Sequence, residues 1–148
     1  MKEDNHFLDS LTPTSLGRLQ PHLTRMDLNR DKGLVEAGQR VEYAYLPINC
    51  VISVVAVMRD GRSVETRTIG CESGFGLLHA LGSSISFESV FTQIGGKAWR
   101  IPLPALAAAT QADPALVQAV ARHAQATILQ AAQGAACNSL HAAEHRLA

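Results

Sequence analysis

Asp113-Pro114 divides this chain more sharply than any other pair of residues. Aspartate is a strong helix N-cap, and proline suits the first helical position, where its missing N–H costs nothing. From Pro114 to Ala148 there is no further proline, so the pattern predicts one helix of roughly 50 Å at 1.5 Å per residue. A domain of this size does not need such a helix for its own core. Val117, Ala121, Ala124, Ile128, Ala131 and Ala135 recur at alternating four- and three-residue steps, the seam of a two-helix contact in which small alanines let two backbones approach. Gly134 interrupts the run at a cost of about 1 kcal/mol against alanine, which predicts a bend or fraying there.

Upstream, the texture is different. Leu8, Leu11, Leu16 and Leu19, with Pro13 after Thr12, predict a short helix capped at Thr12. From Leu23 to Ile101 short apolar runs are cut by turn residues, as in an all-β domain. Val51 to Met58 and Ser63 to Ile69 are strand-like and flank Asp60-Gly61, which predicts a hairpin with a type I′ turn. Gly70, Gly74 and Gly76 then punctuate the chain, and Ser83 to Ile94 resumes alternation, with Ile85, Phe87 and Phe91 predicted on one strand face. Gly95-Gly96 turns into Lys97 to Ile101, and Pro102 and Pro104 open a short helix to about Ala109. Two parts are expected: residues 1–112, a helix and a β domain, and residues 113–148, the long helix.

Hydrophobic residues make up 47% and charged residues 18% of the 148, which is the composition of a folded domain rather than a disordered chain. Of 26 charged residues, 19 lie in positions 1–74, and the charge-poor second half needs a cover. The formal charge is zero, so the chain lacks the net attraction for a phosphate backbone that dominates nonspecific nucleic-acid binding. The N-terminus carries no signal-peptide pattern and no run reaches the length of a membrane span, so a cytoplasmic protein without membrane contact is expected. Cys50, Cys71 and Cys137 are unevenly spaced and read as free thiols in a reducing compartment.

In order along the chain, Glu36-Ala37-Gly38-Gln39, Tyr43-Ala44-Tyr45-Leu46, Val51-Ile52-Ser53-Val54, and Ile69-Gly70 leading to Gly74-Phe75-Gly76-Leu77 precede the Pro-led helix and Asp113-Pro114. This order resembles the regulatory domain of the CRP/FNR superfamily of transcription regulators, over about Leu8 to Ala148. The resemblance implies a mainly β fold with added α structure: a jelly roll (double-stranded β-helix) of the cyclic-nucleotide-binding type, followed by a long C-terminal dimerisation helix. In the family a helix-turn-helix domain follows. Here the sequence stops at Glu144-His145-Arg146-Leu147-Ala148 with the helix pattern still open. DNA contact is therefore expected only through a C-terminal domain that these residues do not include.

Cyclic-nucleotide-binding members hold the ribose with a Gly-Glu-Leu stretch and, about ten residues later, the cyclic phosphate with an arginine followed by serine or threonine. Aligned on Gly76-Leu77-Leu78, this chain has leucine in place of the carboxylate and Phe87 and Glu88 in place of the arginine and hydroxyl. The nearest later basic residue, Lys97, lies beyond the Gly95-Gly96 turn. The polar contacts of a cyclic-nucleotide site are thus missing. Phe75, Gly76, Leu77, Leu78, Phe87, Glu88, Ser89 and Phe91 are the candidate lining of a remodelled pocket for another small effector, against the plainer alternative that they are core.

Cys137, His141 and His145 form one helical stripe at i, i+4 and i+8, but one stripe cannot complete a tetrahedral metal site, and solvent-facing residues are the simpler reading. No metal or other cofactor is expected. No Ser-His-Asp frame, HExxH or paired carboxylates suggest catalysis, and the absence of strand histidines argues against a metal-binding cupin enzyme. The expected protein is the effector-sensing part of a homodimeric transcription regulator. The alternative is a stand-alone β-roll that binds a small molecule without a DNA-binding role.

Overall fold

A computed structural model describes residues 4–140. The chain begins with two short helices, α1 (His6–Asp9) and α2 (Pro13–Leu19). Thr12 caps α2 as its position before Pro13 predicts, its Oγ1 accepting from the Ser15 N–H at 3.1 Å. Leu8 falls in the separate turn α1, whose cap is Asn5. Seven strands follow: β1 (Thr24–Leu28), β2 (Gly33–Val35), β3 (Tyr43–Pro47), β4 (Val51–Val57), β5 (Ser63–Ile69), β6 (Ser89–Ile94) and β7 (Gly96–Pro102). Helices α3 (Leu103–Ala112) and α4 (Pro114–Leu140) close the described chain.

All strand pairs are antiparallel, in one sheet ordered β1-β7-β3 and another ordered β2-β6-β4-β5. This is the jelly-roll arrangement the sequence predicts. One core lies between the sheets, where Leu28, Val35, Tyr45, Ile52, Val54, Ile69, Phe75, Val90 and Ala98 pack together. A second core backs the three-stranded sheet: Ala44, Leu46 and Ile101 meet Phe7, Leu8 and Leu19 of the N-terminal helices and Leu106, Leu116 and Val120 of α3 and α4. Strand β3 feeds both cores through its alternating faces, so Ala44 to Pro47 are all buried.

Two local expectations are corrected. The β4–β5 turn is not type I′, which requires positive φ at both central residues. Asp60 has a negative φ and Gly61 a φ of +84°. The Gly61 N–H donates to the Met58 carbonyl at 3.0 Å and the Met58 N–H to the Arg62 carbonyl at 2.7 Å, a turn centred on Arg59 and Asp60 with a left-handed glycine behind it. Residues 83–88 are not strand; β6 begins at Ser89, and Phe87 is 84% exposed instead of sharing a buried face with Phe91. Alternation there reflects a loop held by Ser86, which is 1% exposed.

Asp113 caps α4, its Oδ1 accepting from the Ala115 N–H at 3.0 Å and from the Leu116 N–H at 3.4 Å. Its Oδ2 accepts from the Ser15 hydroxyl at 2.7 Å, so the same carboxylate joins α2 to α4. These bonds, the Ser15 bond foremost, hold its pKa below the usual carboxylate range. The helix continues through Gly134 without a break. No described helix is long and apolar enough to cross a membrane.

Candidate functional site

Strand β5 is an edge of its sheet, and an unpaired edge needs charge or a cover. Both are present. Glu65 and Arg67 lie along it, and α4 passes beside it, leaving a groove of about 390 Å³. The strand wall carries Glu65, Thr66, Arg67 and Thr68 between Val64 and Ile69, while the helix wall places Gln130, Ala131, Gly134 and Ala135 between Thr127 and Asn138. Small helix residues are what leave the groove open, and a Cβ on Gly134 would meet nothing within 4 Å.

The helix is fastened at the head of this groove. Nε2 of His123 lies 2.5 Å from the Ser73 hydroxyl, and its ring meets Phe7 edge-on at 5.8 Å. Its Nδ1 is buried without a hydrogen-bond partner among the described residues. Burial, with Arg67 nearby adding positive charge, lowers the His123 pKa. The Ser73 carbonyl in turn accepts from Asn5 Nδ2 at 2.9 Å. Asn5 is fully buried and uses every polar atom of its side chain: Nδ2 also donates to the Pro47 carbonyl at 2.8 Å, and Oδ1 accepts from Phe7 and Leu8 N–H groups. Ser73 therefore joins the N-terminal helices, the roll and α4. Neither Asn5 nor His123 stands out in the sequence, because their partners lie 42 to 68 and 50 residues away respectively.

Strand β5 carries a bulge. Val54 pairs with Arg67 and Val55 with Glu65, which leaves Thr66 as the extra residue. Consecutive Thr66 and Arg67 can thus reach the same carboxylate, that of Glu88: Thr66 Oγ1 shares its one proton between Oε1 at 3.0 Å and the Val54 carbonyl at 3.1 Å, and an Arg67 nitrogen lies 3.7 Å from Oε2. His79 is close enough that Arg67 depresses its pKa and Glu88 raises it, burial being the larger effect and the net direction down.

The pocket residues expected from the sequence are dispersed. Phe75 and Leu77 are core at 1% exposure each, and Gly76 turns at φ +90° against the Ala44 backbone. Leu78 opens an exposed 3₁₀ turn, Phe87 faces solvent, and Ser89 Oγ accepts from the Ala37 N–H at 3.1 Å. Phe91 is half-buried opposite Ser53. Phase along the motif suggested a shared pocket; the loop of residues 83–88 turns Phe87 outward instead. Phe75 lines a different cleft, of about 480 Å³, with Val35, Tyr43 and Tyr45. A third, of about 510 Å³, lies between His79 to Gly82 and α3.

On α4, Val117 and Ala124 are half-buried, while Ala121, Ile128, Ala131 and Ala135 are exposed, Ile128 at 64%. Ala131 and Ala135 also line the groove beside β5. Cys137 is half-buried and, like Cys50 and Cys71, a free thiol; His141 and His145 lie outside the described residues.

No protein-family model matches the chain, and no curated protein matches its sequence. Solved structures do match. The sensor domain of the transcriptional regulator DNR from Pseudomonas aeruginosa superposes with a TM-score of 0.68 at 13% identity, covering 86% of each chain. The c-di-GMP responsive global regulator CLP from Xanthomonas campestris gives 0.72 at 14% identity over 88% of this chain and 66% of its own. The Thermus thermophilus catabolite activator protein gives 0.71 at 13% identity over 91% of this chain and 63% of its own. The chain thus spans just under two thirds of these two regulators. At such identities the likeness is one of fold, and this chain has the fold of the DNR sensor domain and of the matched parts of the other two regulators.

Proposed function

We propose that this chain is the effector-sensing and dimerising part of a CRP/FNR-type transcription regulator, working in the cytoplasm and without catalysis. The observation that carries the reading is the groove between β5 and α4, headed by the Ser73–His123 contact. A small molecule seated there touches the roll and the long helix together. Its binding energy can therefore favour one pose of the helix over another, which is the requirement for a population shift. Two such helices, paired along Val117, Ala121, Ala124, Ile128, Ala131 and Ala135, would set the spacing of two DNA-reading domains lying outside these residues.

Pairing is supported by the surface of α4. Arg122 is the one charged residue between Pro114 and Leu140, and Ile128 and Leu129 are 64% and 69% exposed. Such a stripe gains by meeting its own copy. Light scattering of the purified chain at micromolar concentration is expected to give twice the 15.8 kDa chain mass; a monomer would overturn the dimerising role.

A second reading is a stand-alone β-roll that binds its ligand without a DNA partner. For it, the groove between β5 and α4 would bind the ligand with no need of a second helix. It predicts ligand binding by a monomer, whereas the first reading predicts that Ile128→Glu changes both assembly and the response to effector.

A further inference from the structure

We propose that Glu88 is a tethered anion that occupies Arg67, so that the sensing groove takes uncharged or cationic ligands and refuses phosphates and carboxylates. The proposal rests on the reading of the roll as an effector module and names the ligand class of that same site. Three observations carry it.

First, Glu88 is held in place by more than its partner. The hydroxyl of Ser86 donates to the Glu88 carbonyl at 2.6 Å and accepts from the Glu88 N–H at 3.2 Å. Ser86 is itself fixed by backbone bonds, its N–H donating to the Gln39 carbonyl at 2.9 Å and its carbonyl accepting from the Gly38 N–H at 2.7 Å. An ordinary surface pair has no such buried support.

Second, the β5 bulge brings both Thr66 and Arg67 to one carboxylate. A hydroxyl and a guanidinium converging on two oxygens is the way a protein holds a small anion. The fork of Arg67 is engaged loosely, at 3.7 Å, with 30% of its side chain exposed, so its donors can be taken by another acceptor once the Glu88 carboxylate is replaced.

Third, Arg67 is the cation among the groove's lining residues, which also include Glu65 and Glu72. Those two carboxylates are engaged by the Ser53 hydroxyl and the Gly70 N–H respectively. An anion entering the groove to reach Arg67 would compete with the Glu88 carboxylate for it and would share the groove with two further acids. A neutral or cationic ligand meets no such opposition.

Titration calorimetry with cyclic AMP and with inorganic phosphate tests this on the wild-type chain, on Glu88→Gln and Glu88→Ser, and on Glu88→Gln combined with Arg67→Gln. The wild type is expected to show no saturable binding up to millimolar probe. Either Glu88 variant should bind at least one probe roughly tenfold tighter or better, the step one charge-assisted contact supplies, and Arg67→Gln should abolish the gain. Low-micromolar binding by the wild type overturns the proposal. So does no gain in either Glu88 variant while circular dichroism shows the fold intact. Light scattering on the same samples reports on the dimerising role separately, because Glu88 and Arg67 are not on α4.

Discussion

The Ser73 hydroxyl and Nε2 of His123 lie 2.5 Å apart, joining the turn after β5 to α4 in its tenth residue. Phe7 closes over the same imidazole, and Asn5 holds the Ser73 carbonyl. Ordering of the N-terminus, the roll and the helix is thereby concentrated at one point.

That point is sensitive to pH. His123 and His79 are both held below their ordinary pKa by burial, with Arg67 adding to the effect. An imidazole depressed in the fold leaves stability fully present above its unfolded value of about 6.5, and stability is lost as the pH falls below that value, because the unfolded chain takes the proton first. Asp113 acts in a lower window: its depressed pKa gives stability that is present above the ordinary aspartate value and lost as the pH falls toward the folded one. Urea unfolding should therefore show a lower midpoint at pH 5.5 than at pH 7.5. His123→Gln should reduce that difference; an unchanged difference would mean that His123 is not buried as a neutral group.

Asn5→Ala should destabilise the chain by about 2 to 4 kcal/mol, because the Pro47 and Ser73 carbonyls each lose a buried donor. Asn5→Asp should be no better, since an oxygen would then face those two carbonyls. Denaturant titration of both variants measures the loss, and a change within about 0.5 kcal/mol would contradict the role given to Asn5.

Gly76→Ala should cost about 2 kcal/mol or more. Its φ of +90° disfavours any side chain, and an added Cβ would lie 2.9 Å from the Ala44 Cα, an atom of the buried strand β3 that cannot move aside cheaply. Gly134→Ala, where a Cβ meets nothing, should instead leave stability unchanged or raise it by up to about 1 kcal/mol. Thermal melts of the pair separate the two cases.

Ile128→Glu should weaken self-association by tenfold or more, by placing an unpaired carboxylate in the seam. Sedimentation at graded concentrations reads the shift. An unaltered dimer would move the contact to another face of α4.

The parts of the fold legible in the sequence are those with local causes. Asp113-Pro114 starts a helix through its own side chain, Thr12 caps α2 by the same rule, and the strands on either side of Asp60-Gly61 pair as their patterns predict. The turn type was not legible, because Asp-Gly serves both a two-residue turn and a turn followed by a left-handed glycine. The alternation through Phe87 misled because a stitched loop and a strand can carry the same pattern over a few residues. Of the candidate site, Glu88 was legible as an acid in the wrong place for a phosphate, but its partner was not. Arg67 reaches it only because β5 bulges at Thr66, and a bulge is a property of the pairing, not of either strand's composition.

The carboxylate of Asp113 has a mechanical consequence. It ends α2's reach and begins α4 in the same few atoms, so the start of the helix is a fulcrum fixed to the body of the domain. From there to Leu140 the helix is a rigid arm of 27 residues, about 40 Å at 1.5 Å per residue. A tilt of about 5° about Asp113 would carry its far end through roughly 3.5 Å on that length. The β5 groove lies well along the arm, between Thr127 and Asn138, where a ligand a few ångströms wide has leverage, and a displacement too small to disturb the cores becomes a change of position at Leu140.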